Sequence, residues 1–186
     1  MEVIDNFLSP SYFNEISNVI NSPKFEWFSS RNITDGKTTK NSSFGFCHPI
    51  FDNGFIDLKF NLFFSGFLFQ LLDQIQCNKI IRSRIDMTTY QSKKFIHEPH
   101  VDFEDPYISN ITTIFYITDN KDADTIIYDK KITSKENICI KDLKVLKKIS
   151  PKKNRLVYFD GSYLHTGHSP TNESHRILIN SNFTKI

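Results

Sequence analysis

The apolar pattern changes character near residue 79. Before it, apolar residues recur at helical steps or lie scattered through polar, turn-rich stretches. After it, they come in short β-rich runs. In "SPSYFNEISNVIN", Phe13, Ile16, Val19 and Ile20 share one helical face. Ser9 stands where a cap is expected and Pro10 suits the first turn, so the spacing predicts a helix preceded by a short strand over residues 2–5. Residues 22–54 are rich in Ser, Asn, Thr, Gly and Pro, and read as loops and short strands. "FIDLKFNLFFSGFLFQLLDQI", residues 55–75, is dense enough in apolar positions for a second helix packed on a sheet, with Gly66 its weak point.

From residue 79 the runs predict strands over 80–90, 93–101, 111–118, 124–129, 144–149, 155–159, 163–168 and 174–183. Turn formers such as Asp119-Asn120, Pro151 and Gly161 separate several of them. About eight short strands after a helical start predict a mainly β fold with packed helices. The expected architecture is a jelly-roll, a cupin-like double-stranded β-helix with N-terminal helices outside the barrel. A length of 186 residues suits a single domain over 1–186, with 1–78 as a helical and loop support segment and 79–186 as the jelly-roll core.

Composition adds mainly exclusions. With 39% apolar and 24% charged residues the chain has ordinary globular composition. Its 18 Phe and single alanine, Ala123, fit an AT-rich coding sequence. A net charge of +2 argues against a nucleic-acid partner, and the lysine-rich stretch 141–153 reads as a solvated strand pair and loop. Cys47, Cys77 and Cys139 are odd in number and in no metal spacing, which suggests reduced thiols and a cytoplasmic location. The N-terminus lacks the pattern of a signal peptide, and the apolar stretch 60–72 is too short to cross a bilayer.

The chemistry concentrates in "IHEPHVDFEDP", residues 96–106, with two histidines and four carboxylates. Residues two apart in a strand share a face, so His100 and Asp102 are expected to converge on one ion. They would be two of the three ligands of the facial triad that holds non-haem Fe(II) and leaves positions open. A third ligand is sought in "NRLVYFDGSYLHTGHSP", residues 154–170, where a strand and an Asp-Gly turn lead to His165. His168 is the rival, but an odd separation puts the two on opposite faces. In "SHRILIN", Arg176 shares a face with Leu178 and Asn180, opposite Ile177 and Ile179. An arginine inside a barrel needs a partner, and a dicarboxylate cosubstrate would match its forked geometry. The plainer alternative is an edge arginine facing water.

The order "HVD", "FDGSYLHTG" and "HRILIN" resembles the Fe(II)- and 2-oxoglutarate-dependent dioxygenases. It is most similar to the prolyl 4-hydroxylase-like branch, including its small phage and bacterial members. "TTIFYIT", "KDADTIIYD" and the opening "VIDNFLSPSYFNEI" resemble that branch too, so the likeness covers roughly residues 80–183 plus the N-terminal strand and helix. The resemblance implies His100, Asp102 and His165 as metal ligands and Arg176 as the clamp on the far carboxylate of 2-oxoglutarate. It also implies Thr112 as a pocket residue. The branch's tyrosine three residues before the first metal histidine is replaced here by His97, either a cosubstrate contact or a solvated polar residue. Tyr90 is then the candidate for the tyrosine's role. Leu178 stands where many relatives carry serine, and Ala123-Asp124 where they carry Gly-Gly.

The implied cofactors are Fe(II), 2-oxoglutarate as cosubstrate, and O2, with ascorbate a candidate reductant. The implied reaction hydroxylates an unactivated C–H bond and releases succinate and CO2. Its substrate would be a prolyl residue in a peptide or protein, or a small molecule such as a free amino acid. Loops 22–54, 103–110 and 130–142 are expected to set the choice, with "FEWFSS" as either an aromatic wall or core packing. A non-catalytic metal-binding jelly-roll and a zinc hydrolase are the rivals of other classes, and both leave Arg176 unexplained.

Overall fold

The computed structural model describes residues 1–30, 33, 44–103, 109–132 and 142–184. Among these, β1 (Glu2–Asp5), α1 (Pro10–Ile20), β2 (Phe28–Ser30) and β3 (Gly45–Asp52) lead to α2 (Leu58–Asn61) and α3 (Ser65–Ile75). Then follow β4 (Lys79–Thr89), β5 (Asn110–Tyr116), β6 (Thr125–Lys131), β7 (Val145–Ile149), β8 (Arg155–Asp160), β9 (Tyr163–Gly167) and β10 (His175–Thr184). A seven-stranded sheet has the order β1-β8-β5-β10-β4-β3-β2, and a three-stranded sheet the order β7-β6-β9. All recorded strand pairs are antiparallel. The fold is the mainly β double-stranded β-helix that the strand pattern predicts, with helices outside.

Alternation along the large sheet builds two layers of core. Phe115, Leu156, Ile177 and Ile179 face outward and pack beneath Phe13, Ile16 and Ile20 of α1 and Phe67, Leu68 and Leu71 of α3. Ile114, Tyr116, Val157, Phe159 and Leu178 face inward and meet Ile127 and Ile149 of the small sheet. Ser9 caps α1, its Oγ accepting from the Tyr12 N–H at 3.4 Å. Asn154, at positive φ in the turn before β8, ties the N-terminal segment down. Its Oδ1 accepts from the Leu8 N–H and its Nδ2 donates to the Leu8 carbonyl, each at 2.8 Å.

Two elements differ from the sequence reading. The helix expected over 55–75 is broken into α2, a 3-10 turn at Leu62–Phe64, and α3. The expected strand 93–101 is absent as a strand, and only bridges join Ile96 to His168 and His100 to His165. The segment does run antiparallel to β9, because the His97 N–H donates to the Gly167 carbonyl while His100 and His165 exchange both backbone bonds. Three residue steps on one side are matched by two on the other, so a one-residue slip interrupts the ladder. Pro99, between the paired positions, has no N–H to give.

Much of the three substrate-setting loops lies outside the described residues. Of "FEWFSS", Phe25 is core packing, its ring 5.0 Å from Trp27 and 5.8 Å from Phe60.

Candidate active site

The slip beside β9 decides what reaches the interior. In a regular strand His97 and His100 would face opposite ways, being an odd number apart. The extra residue re-aims the chain, as bulges do, and both imidazoles line one cavity. The argument that His100 and Asp102 share a strand face is therefore corrected: His100 sits at a bridge and Asp102 in a bend. His165 comes from mid-β9.

Imidazole and carboxylate ligand atoms of His100, Asp102 and His165 all lie within 4.8 Å of one another. His100 Nε2 is 3.8 Å from Asp102 Oδ1, and His165 Nε2 is 3.6 Å from Asp102 Oδ2. Each histidine turns its Nδ1 to a backbone carbonyl, Glu98 at 3.0 Å and Tyr163 at 3.1 Å. Nδ1 therefore carries the hydrogen, and the Nε2 lone pairs face each other across the cluster. His165 Nε2 is buried without a hydrogen-bond partner among the described residues. Two imidazoles and one carboxylate, oriented in this way, fit a divalent non-haem metal with open positions.

Charge is distributed to suit. Burial works against ionised Asp102, but the nearby histidines and Arg82 hold its carboxyl well below the usual range. Burial and the neighbouring His165 lower the His100 pKa to about 4. Burial lowers His165 as well, but the Asp102 carboxylate outweighs it and the net shift is upward. Donors surround the carboxylate: Asn180 Nδ2 lies 3.2 Å from both oxygens, Asn182 Nδ2 at 3.1 Å and Thr112 Oγ1 at 3.2 Å. Arg82 Nη2 stands further off at 3.5 Å.

Arg176 projects into the same cavity from β10 and is 5% exposed, not an edge arginine facing water. Its Nη2 donates to Thr125 Oγ1 at 2.8 Å, and the guanidinium stands over the Tyr116 ring at 5.6 Å. Its Nε is buried without a partner, and no ion pair to it is recorded among the described residues. Gly167 leaves room beside it, since a Cβ there would lie 3.1 Å from Nη1. His97 is buried at 3% exposure, so it is not a solvated residue. Burial, then the Arg176 charge, lower its pKa to about 3.

Other expectations fare differently. His168 is engaged elsewhere, its Nε2 accepting from the Asp124 N–H at 3.0 Å. Thr112 is not among the cavity-lining residues and touches the Asp102 carboxylate instead. Tyr90 is 52% exposed beyond the end of β4 and does not line the cavity. The sequence reading missed Arg82, Asn180 and Asn182 as holders of Asp102, and Arg84, Asp86 and Thr88 as cavity wall. The alternation of β4 and β10 was the signal available. Arg84, Asp86 and Thr88 pair with Asn180, Leu178 and Arg176 on one face.

A two-histidine, one-carboxylate cluster inside this barrel places the chain among metal-centred jelly-roll proteins as a class. The family model of the 2OG-Fe(II) oxygenase superfamily matches residues 85–184, more than half of the chain, and the chain belongs to that superfamily. It is a 2-oxoglutarate-dependent dioxygenase that works with Fe(II).

Among solved structures the chain is similar to a prolyl hydroxylase from Trichoplax adhaerens in complex with a hypoxia inducible factor peptide fragment. The TM-score is 0.66 at 15% identity, over 98% of this chain and 83% of that one. A Pseudomonas putida prolyl-4-hydroxylase gives 0.59 at 10% identity, over 99% and 92%. HygX from Streptomyces hygroscopicus, with nickel, 2-oxoglutarate and hygromycin B bound, gives 0.65 at 10%, over 98% and 82%. At these identities the likeness shows the fold. A comparison with curated proteins finds no match.

Proposed function

We propose that His100, Asp102 and His165 hold the Fe(II), that Arg176 clamps 2-oxoglutarate, and that the enzyme hydroxylates a peptide, at a prolyl residue, or a small molecule. The observation that carries the clamp is a buried guanidinium with an orphaned Nε and no carboxylate against it among the described residues. Asp86 and Asp124 act on this buried cation only from a distance, and the distal carboxylate of 2-oxoglutarate would supply a paired anion. Thr125 fixes the fork by accepting from both Arg176 Nη2 and the Tyr116 hydroxyl, the latter at 2.6 Å.

When bound, Fe(II) supplies activation of O2 coupled to oxidation of 2-oxoglutarate to succinate and CO2. The protein's own part is orientation and shielding. Glu98 and Tyr163 carbonyls fix the ligand tautomers, and the amides and threonine around Asp102 fix its carboxylate. The buried walls of Ile114 and Leu178 keep water from the reacting centre. A purely structural ion would give Arg176 nothing to bind, which weighs against a non-catalytic jelly-roll. A cytoplasmic location goes with this reading, supported by three cysteines in no metal or paired spacing. No described helix is long and apolar enough to cross a membrane.

The test is an anaerobic titration of the purified protein with Fe(II) and then 2-oxoglutarate, watching the visible charge-transfer band of the chelated cosubstrate. The band should appear and be lost in His165→Ala. Iron binding without a band would remove the cosubstrate reading.

A further inference from the structure

Asp86 lies in the wall of the cavity, midway along the β4 face that bears Arg84 and Thr88. Its register partner on β10 is Leu178, between Asn180, which touches the Asp102 carboxylate, and Arg176. Asp86 therefore stands level between the metal cluster and the clamp. It is 8% exposed, and its Oδ1 is buried without a hydrogen-bond partner among the described residues.

Arg84 is its neighbour in the same wall. Arg84 Nε donates to Asp86 Oδ2 at 3.1 Å, and lies 3.0 Å from Oδ1 without hydrogen-bond alignment. Arg84 Nη2 donates to the Ile33 carbonyl at 2.8 Å. The guanidinium is thus engaged with protein on two sides, and what the pair offers the cavity is an acceptor oxygen. Oδ1 has the Arg84 charge 3.0 Å away but no aligned donor among the described residues, so it can accept a hydrogen bond from the cavity side.

2-Oxoglutarate cannot be that donor. At neutral pH it carries two carboxylates and a ketone, all acceptors, and its charge would repel the Asp86 oxygen. Desolvation already works against the ionised form of Asp86 and raises its pKa, a tendency a cation alongside would reverse. Resting on the oxygenase reading above, we propose that Asp86, backed by Arg84, is a specificity-determining residue whose Oδ1 accepts a hydrogen bond from an amine or guanidinium group of the substrate. The enzyme then acts on a basic small molecule, or on a peptide that places a basic group in this cavity. A purely apolar substrate would leave Oδ1 without its donor.

The experiment uses the anaerobic Fe(II)- and 2-oxoglutarate-loaded protein and follows its visible band. The probes are n-butylammonium and methylguanidinium, with pentanoate as the like-sized anion. The cations should perturb the band in the natural protein and pentanoate should not. In Asp86→Leu the half-saturating cation concentration should rise about tenfold or more, with the cosubstrate band itself intact. Where Asp86→Leu does not yield folded protein, Asp86→Asn removes the charge at constant size and serves the same comparison. No response to either cation, or an equal response in the variants, overturns the proposal and leaves Asp86 a structural partner of Arg84 with a water on Oδ1. Absence of the band in the natural protein is a separate failure, of the oxygenase reading.

Discussion

At the scale of single residues, the candidate metal cluster is built less by its three candidate ligands than by what steers them. Asn182 is not one of the three candidate ligands, yet its Nδ2 donates to Asp102 Oδ2 and to Thr112 Oγ1. Asn182→Ala is expected to weaken Fe(II) affinity about 10- to 100-fold, the usual cost of losing an outer partner of a metal ligand. Competition with a coloured chelator measures it, and unchanged affinity would make the amide a bystander. Arg176→Ala should leave iron bound while the 2-oxoglutarate concentration for half-maximal band intensity rises about tenfold or more. An unaltered requirement would remove the clamp. His168→Ala should keep the metal, because its Nε2 already accepts from the Asp124 backbone.

The three candidate ligands and Arg176 were legible because each is a chemically costly residue in a short motif. The holders of Asp102 were not. Asn180, Asn182 and Arg82 are ordinary polar residues in sequence, and only the pairing of Asn182 with both Arg82 and Thr112 brings them together.

At the scale of elements, strands came through where alternation is clean, as in β4, β5, β8 and β10. The segment 93–101 did not, because its partner strand is paired through a slip that no local pattern encodes. The helix 55–75 failed at Leu62–Phe64, where a continuous apolar run hides the change to a 3-10 turn. The Asn154 clamp is an element-level device too, joining the turn before β8 to the segment ahead of α1. Asn154→Ala removes two 2.8 Å hydrogen bonds and strands the Leu8 N–H and carbonyl. It also puts alanine at a positive φ. The expected loss is about 2–4 kcal/mol, read as a fall in midpoint on denaturant unfolding. A shift no larger than that of an exposed substitution would show the clamp to be idle.

At the scale of the whole molecule, buried histidines tie stability to pH. Burial lowers His97 to about 3 and His100 to about 4, from an ordinary value of 6.5. His168 is lowered as well. The fold keeps these rings neutral while the unfolded chain takes up protons below pH 6.5, so their stabilising effect is complete above that value and is lost as pH falls towards 4 and 3. His165, raised by Asp102, acts in the opposite sense but is outnumbered. The metal-free protein should therefore melt at a progressively lower temperature below about pH 6.5, and less steeply in His97→Gln. A melting temperature that holds or rises on acidification would contradict this.

The stretch from Phe95 to His100 has a second consequence, through the backbone it covers. β9 is the last strand of the small sheet, and on its outer side His100 pairs with both the carbonyl and the amide of His165 while His97 donates to the Gly167 carbonyl. A bare strand edge is a template for another molecule's strand. The peptide that presents His100 to the metal is therefore also the cap on a sticky border. A metal held by His100, as proposed, would tether the same peptide, so its removal is expected to loosen that cap. Depleted protein should then associate through strand addition sooner than loaded protein, which light scattering of the two forms measures.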